Sequence, residues 1–339
     1  MSTAPRISVV MPAYNAGMFI AAAVRSILAQ SLGDFELLIL DDGSEDATER
    51  IITGIPDQRI RYYRHAAHRG LAAIRNEGMS IARGSYIAMM DADDISHPHR
   101  LEMQAALLDA HPGTGACGVW LRTIGGRRHT FRYAANHDDI RCEMLFDSHM
   151  PHGASMLRAE LVRAHAPLYS DVFHSAEDYD MWTRLAPYTR FEILPRVLYE
   201  YRQHKGQTTA LLAGNTVQAT RSIHSRLLAE LGVECDDANL ELHGAIAQWR
   251  PPDGDDAPAR IHAWMLRLLE ANAVRHTYDQ TALKRCLTRR FFRLVPRYPS
   301  LTPEVLHAAR QLPLYREADI RASERIRSTI ARALRRSPQ

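Results

Sequence analysis

Four cysteines, Cys117, Cys142, Cys235 and Cys286, are too few and too scattered for a disulfide scaffold, and their spacing does not suit zinc. A reducing cytoplasm is the expected compartment. No apolar run approaches the roughly 18 residues of a membrane span, which excludes an integral membrane protein. The opening MSTAPRISVVMPAYN lacks the basic n-region and cleavage site of a signal peptide. The one G-x-G-x-x-G, Gly113 to Gly118, runs into the strand pattern Gly115–Ile124 instead of opening a helix, and G-x-x-x-x-G-K-[ST] does not occur, which argues against a dinucleotide oxidoreductase and a P-loop NTPase. Internal repeats and low-complexity tracts are missing, and only Lys205 and Lys284 among the 42 basic residues are lysine.

What is present is an ordinary globular composition. The 339 residues are 46% hydrophobic and 24% charged with net charge +3, enough for one large domain or a domain with an appendage. The charge is uneven. From Ala257 onward about 17 basic residues face about 6 acidic ones, so that segment carries about +11 and the remainder about −8. The seam falls at Trp249–Ala259, WRPPDGDDAPA, which has turn formers and acids but no apolar period. The expected division is therefore 1–212, a helical extension and linker over 213–256, and a basic helical region over 257–339.

The front part alternates strand and helix. Ile7–Met11, Glu36–Leu40, Ile60–Tyr63 and Tyr86–Met90 are short apolar runs of the kind that forms buried parallel strands. Between them lie helical patterns: Ile20, Val24, Ile27 and Leu28; a helix opened by Asp46 with Glu49 as a capping box; and Leu71, Ile74, Gly78 and Ile81. A βαβαβαβ order implies an α/β fold with a mostly parallel sheet and helices on both faces. Ligands in such sheets sit beyond the carboxyl ends of the strands. Three strands end there in polar clusters: Pro12-Ala13-Tyr14-Asn15, Asp41-Asp42, and Asp91-Ala92-Asp93-Asp94.

Carboxylates as close as Asp91, Asp93 and Asp94 repel one another unless a cation neutralises them. Mg²⁺ and Mn²⁺ use one or two carboxylates and leave positions for water and phosphate, so this D-x-D reads as a metal holding a diphosphate. A solvated acidic turn capping a helix near Pro98 is the plainer alternative. Asp42 suits the imide N–H of uracil or a ribose hydroxyl, and Tyr14 offers a flat face for a base; a turn with capping duties explains Asp41–Ser44 equally well. Arg69 and Arg75 are placed to approach phosphates, or Arg75 to pair with Glu77 or another surface acid.

Taken together, ISVVMPAYNAG, LLILDDGSEDAT, RGLAAIRNEGMSIARGSYIAMMDADD, SAEDYDMWTRL and YEYRQH resemble the successive motifs of family 2 glycosyltransferases with the GT-A fold, over about Ser8 to Thr209. The resemblance implies inverting transfer of a sugar from a nucleoside diphosphate, with UDP the expected carrier, to a hydroxyl acceptor. It implies that Pro12, Ala13, Tyr14, Asp42, Arg75, Asp91, Ala92 and Asp93 bind the donor. It places Mn²⁺ or Mg²⁺ on Asp91, Asp93 and His204, with Lys205 a further phosphate contact. Asp178 of the Glu177-Asp178 pair would be the general base, although two acids at a helix start also suit its macrodipole. Residues 118–175, including Arg127, Arg128, His149 and His152–Ser155, would form most of the acceptor side without a catalytic role. The alternative is a nucleotide-sugar binding or scaffolding protein without turnover. A sugar nucleotidyltransferase is disfavoured for want of its Gly-rich N-terminal loop.

By the same resemblance the pathway is polysaccharide, lipopolysaccharide or capsule synthesis, and the acceptor a glycan or a lipid-linked one. Over 319–336, Ile320, Ala322, Ile326, Ile330 and Leu334 line one helical face opposite Arg321, Arg325, Arg332, Arg335 and Arg336. Such a helix either lies on an anionic membrane surface or packs on the protein. A second contact would use Phe291, Phe292, Leu294 and Val295 with Arg289, Arg290, Arg293 and Arg297. The expected location is thus cytoplasmic, with peripheral attachment to the inner face of the cytoplasmic membrane. Nucleic acid is not an expected partner, since no recognition motif accompanies the charge.

Overall fold

A computed structural model describes residues 4–173, 175–204, 206, 213–254 and 256–294. The described parts of Met1–Ile140 and Ser148–Ala219 form one compact unit, and those of Arg141–Asp147 and Thr220–Gln339 form a second. The helix expected over 319–336, together with Val295, Arg297 and Lys205, lies outside the described residues.

The first unit is built on β1 (Ile7–Ala13), β2 (Phe35–Asp41), β3 (Ile60–Arg64) and β4 (Tyr86–Met89), ordered β3-β2-β1-β4 and all parallel. Every residue of β1 and β2 is buried, as a strand covered on both faces requires. Beyond β4 the directions mix. After β5 (Ile95–Ser96), β6 (Thr114–Ile124) and β7 (Thr130–Phe131), β8 (Met156–Arg158) runs antiparallel between β4 and β6, and β9 (Arg190–Arg202) runs parallel to β6. β5 closes that edge against β9, and β7 hangs on β6.

The helices of this unit are α1 (Ile20–Leu28), α2 (Thr48–Thr53), α3 (Leu71–Ile81), α4 (Arg100–Ala110), α5 (His137–Met144), whose last turn enters the second unit, α6 (Ala159–His165) and α7 (Glu177–Leu185). In α1 the stripe Ile20, Ala23, Val24 and Ile27 is buried. α3 lies unusually close to the sheet: a Cβ on Gly78 would stand 2.5 Å from Val10 Cγ1 and 3.1 Å from Leu40 Cδ2. One local expectation is corrected. Asp46 does not form a capping box with Glu49, because α2 starts a residue later. Its carboxylate accepts from Thr48 N–H at 2.9 Å and Gly17 N–H at 2.8 Å, while Glu49 pairs with Arg64 at 3.2 Å.

The second unit consists of α8 (Ala213–Glu230) from Thr220 onward, α9 (Asp237–Ala247), α10 (Ala257–Arg275), α11 (Gln280–Leu294) and the inserted segment 141–147. Its core includes Ile223, Leu227, Ile246, Trp264, Leu268, Leu287 and Phe291, together with Cys142, Leu145 and Phe146 of the insert. Trp264 Nε1–H donates to His243 Nδ1 at 3.2 Å, so His243 Nε2 carries the hydrogen that reaches the Leu145 carbonyl at 2.9 Å. His224 bonds the Phe146 carbonyl at 2.9 Å, and burial draws its imidazole down to about 4. Glu143 is held by Arg289 and, at 2.7 Å, by the buried Arg290, whose guanidinium lies over the Phe146 and Trp249 rings. Phe291, Phe292 and Leu294 are buried too, which corrects their reading as a membrane contact: α11 spends its apolar side on the unit's own core. The Pro- and Asp-rich stretch 249–259 connects α9 to α10 within this unit.

Candidate active site

The sheet brings the three polar clusters together. Ala13 registers with Asp41 across β1 and β2, and Val10 with Met89 across β1 and β4, so Tyr14, Asp42 and Asp91 leave neighbouring strand ends. Pro12, Ala13 and Ala92 are buried, whereas Tyr14 is half-exposed. Asp41 is structural, accepting from Ser44 N–H at 2.8 Å and Tyr62 O–H at 2.6 Å. Asp42 receives Arg69 N–H on Oδ1 at 2.7 Å and Gly70 N–H on Oδ2 at 2.9 Å, which pins the entry to α3 at a glycine with φ of 95°. His68 Nδ1 also reaches Asp42 Oδ2, at 2.8 Å.

Arg75 joins the D-x-D to the Glu177-Asp178 pair. From the buried face of α3 its Nη1 donates to Glu177 Oε1 at 2.7 Å, Nη2 lies 3.6 Å from Asp91 Oδ1, and Cζ sits 5.5 Å from the Tyr169 ring centre. Burial pushes against its charge, but Asp91, Glu177, Tyr169 and Asp178 outweigh that and hold the guanidinium above its usual range. The alternative of Arg75 pairing with Glu77 or another surface acid is corrected: Arg69 takes Glu77, and Arg75 points inward to Glu177.

The acidic loop after β4 carries more charge than it can keep. Burial raises the Asp91 carboxyl, with Arg75 opposing and Asp93 adding repulsion. Asp94 is 1% exposed, and burial, then the Asp91 and Asp93 charges, raise its carboxyl well above the ordinary range. Its Oδ1 accepts Arg202 N–H at 2.7 Å; its Oδ2 has no partner among the described residues. Beneath lies Arg100, fully buried, donating to the Met89 and Gly153 carbonyls at 3.0 and 3.1 Å and drawn down to about 10 by burial. Asp91 N–H donates to Tyr199 O–H at 3.2 Å, and a Cβ on Gly153 would stand 2.1 Å from Asp91 Oδ2. The end of β9 delivers His204, whose Nε2 is 2.9 Å from Asp93 Oδ2.

Among the described residues no three His, Cys, Asp or Glu side chains form a ready-made metal cage. Asp93 stands beside His204, and Asp91 is near enough for its charge to repel that of Asp93. Those residues fit a hard cation that completes its shell with phosphate and water.

Asp178 opens α7, where the helix dipole favours a negative charge. It is half-buried, with Oδ1 accepting Tyr179 N–H at 2.8 Å and Oδ2 accepting Ser148 O–H at 3.4 Å. His152 packs beside Trp182 and its Nε2 lies 3.2 Å from Tyr169 O–H; burial and then Arg75 keep the imidazole neutral. Sequence reasoning missed Arg100, Tyr169 and Tyr199. No local pattern marks them, because each acts through burial that only the tertiary fold creates.

The model of the family described as Glycosyl transferase family 2 matches residues 8–165. An uncharacterized glycosyltransferase of Haemophilus influenzae is 30% identical, covering 62% of this chain and 69% of its own. The Escherichia coli UDP-Glc:alpha-D-GlcNAc-diphosphoundecaprenol beta-1,3-glucosyltransferase WfgD is 37% identical over 30% of this chain and 40% of its own. Among solved structures, Staphylococcus aureus TarS 1–349 in complex with UDP-GlcNAc superimposes with a TM-score of 0.57 at 17% identity, covering 90% of this chain and 92% of that one. The mannosyltransferase PcManGT of Pyrobaculum calidifontis, in complex with GDP-Man and Mn²⁺, gives 0.53 at 17% identity over 99% and 88%. These likenesses match the GT-A architecture expected of the sheet and its helical C-terminal region. With a relative of that identity and span, and a family model that ends just short of α7, this chain belongs to glycosyltransferase family 2.

Proposed function

We propose that the chain transfers a sugar, with inversion and with the help of Mn²⁺ or Mg²⁺, from a nucleoside diphosphate, UDP first, to a hydroxyl of a glycan or lipid-linked acceptor. The reading fits polysaccharide, lipopolysaccharide or capsule synthesis at the cytoplasmic membrane, as WfgD's diphosphoundecaprenol acceptor suggests. No described helix is long and apolar enough to cross a membrane, so attachment would be peripheral, through the arginine-rich tail.

The observation that carries it is the Arg75 bridge. One buried cation touches Glu177 and lies against Asp91, so the diphosphate-facing acids and the Asp178 carboxylate belong to one site. Asp178 takes the proton of the acceptor hydroxyl as its oxygen bonds to the anomeric carbon and the bond to the diphosphate breaks on the far side. Tyr14 and Asp42 hold the base. Asp91, Asp93 and His204 would hold a divalent cation, which would supply Lewis-acid neutralisation of the diphosphate's charge.

The test follows donor consumption with Mn²⁺ across candidate acceptors. Asp178→Asn is expected to lower turnover roughly 10²- to 10⁴-fold while UDP binding persists. Wild-type turnover in that variant overturns the base assignment; donor binding without turnover in the wild type favours a binding or scaffolding protein.

A further inference from the structure

Asp42 is the acid that the donor reading assigns to the base, yet its carboxylate is already engaged. Oδ1 takes Arg69 N–H at 2.7 Å, Oδ2 takes Gly70 N–H at 2.9 Å, and His68 Nδ1 lies 2.8 Å from Oδ2. The same imidazole lies against Tyr14, ring centres 4.4 Å apart and planes tilted by 36°. One aromatic ring thus sets a nitrogen against Asp42 while it packs on Tyr14. A uracil ring would make the same two contacts.

Exposure decides what must happen next. The Asp42 side chain is 5% exposed and that of His68 is 56% exposed, so the acid has no open edge while the imidazole has solvent to swing into. The main-chain donors at 69 and 70 are anchored by the start of α3 and stay. The replaceable partner is His68.

We propose that His68 is a built-in stand-in for the nucleobase: it holds the base position beside Asp42 and Tyr14, and a donor binds by evicting it. This rests on the nucleoside diphosphate reading above and adds the class of base admitted, one whose ring N–H takes up Asp42 once the imidazole has left. A competent state that is only partly populated weakens apparent affinity by that fraction. Removing the imidazole therefore improves binding of a base that can use Asp42.

The experiment measures equilibrium binding of UDP and of N3-methyl-UDP, which lacks the ring N–H, to the full chain and to His68→Ala with Mn²⁺ present. The variant is expected to bind UDP roughly two- to tenfold tighter. N3-methyl-UDP is expected to bind weakly to both. The exposed position of His68 keeps folding out of the comparison, and a matching melting curve without nucleotide checks it. UDP affinity that is unchanged or weaker in the variant overturns the eviction, as does an equal gain for N3-methyl-UDP. A wild-type chain that binds neither UDP nor GDP sinks the donor reading itself and this inference with it.

Discussion

Arg75 compensates two acids that few other groups reach, so its removal is expected to be felt in stability before chemistry. Arg75→Met leaves the buried Glu177 without its partner cation, and breaking a buried pair in this way costs about 3–5 kcal/mol. The readout is the midpoint of urea unfolding, with Arg75→Lys intermediate because one ammonium cannot serve both carboxylates. Asp94 makes the opposite case. Its carboxyl is raised by burial and by the Asp91 and Asp93 charges, its Oδ1 accepts the Arg202 main-chain N–H, and Asp94→Asn keeps that acceptor without the charge. That variant is expected to keep donor affinity within about threefold of wild type, whereas Asp91→Asn and Asp93→Asn lose the metal-dependent part of it; calorimetry with and without Mn²⁺ distinguishes them. At this scale the acids were legible because they stand in short runs just past apolar strands. Arg100 and Tyr199 were not: an arginine at a helix start and a tyrosine in a strand look like surface residues until the fold buries them.

Glu36 shows what an element can hide. In FELLILD it is the one acid before the strand's end, and the apolar run around it marks a buried strand without saying what a carboxylate does there. Burial alone would push it up, but hydrogen bonds from Ser8, Arg61 and Arg83 outweigh that and hold it at about 2 instead of 4.5. A depressed acid stabilises the fold above its unfolded value and loses that contribution as pH falls through its folded value. The shift corresponds to about 3 kcal/mol, present above pH 4.5 and gone near pH 2. Acid titration of stability should therefore be steeper in wild type than in Glu36→Gln between those limits. Gly78 supplies a second test: Gly78→Val forces α3 off Val10 and Leu40 and is expected to cost about 1–3 kcal/mol, read from the same unfolding curves. The first four strands were legible as short apolar runs and the helices between them as amphipathic stripes, whereas β5 and β7 to β9 carry no such local mark. The start of α2 was displaced by one residue, since Asp46 has a distant customer in Gly17.

For the whole molecule, charge is a poor guide to boundaries. The acidic-to-basic seam at 249–259 is a connection inside the second unit, whose core also takes residues 141–147. That insert reads as the end of an ordinary amphipathic helix because its partners, His224, His243 and Arg290, come far later in the chain. Arg290→Met is expected to unfold this unit at lower denaturant than wild type by leaving the buried Glu143 with one of its two arginines. Membrane attachment is best tested in the full chain, by reversing Arg321, Arg325, Arg332, Arg335 and Arg336 to Glu; retention on anionic vesicles should fall and vanish with added salt. Retention that survives the reversal removes the tail from the account.

The insert also limits how the gene can be cut. A ribosome delivers residues 141–147 long before the helices that will enclose them, so Leu145 and Phe146 wait with greasy side chains and idle carbonyls until synthesis reaches His224 and His243. A clone stopped at the end of the catalytic half would keep that stretch permanently bare, and swapping tails between relatives should succeed only when the heptapeptide travels with its own helices.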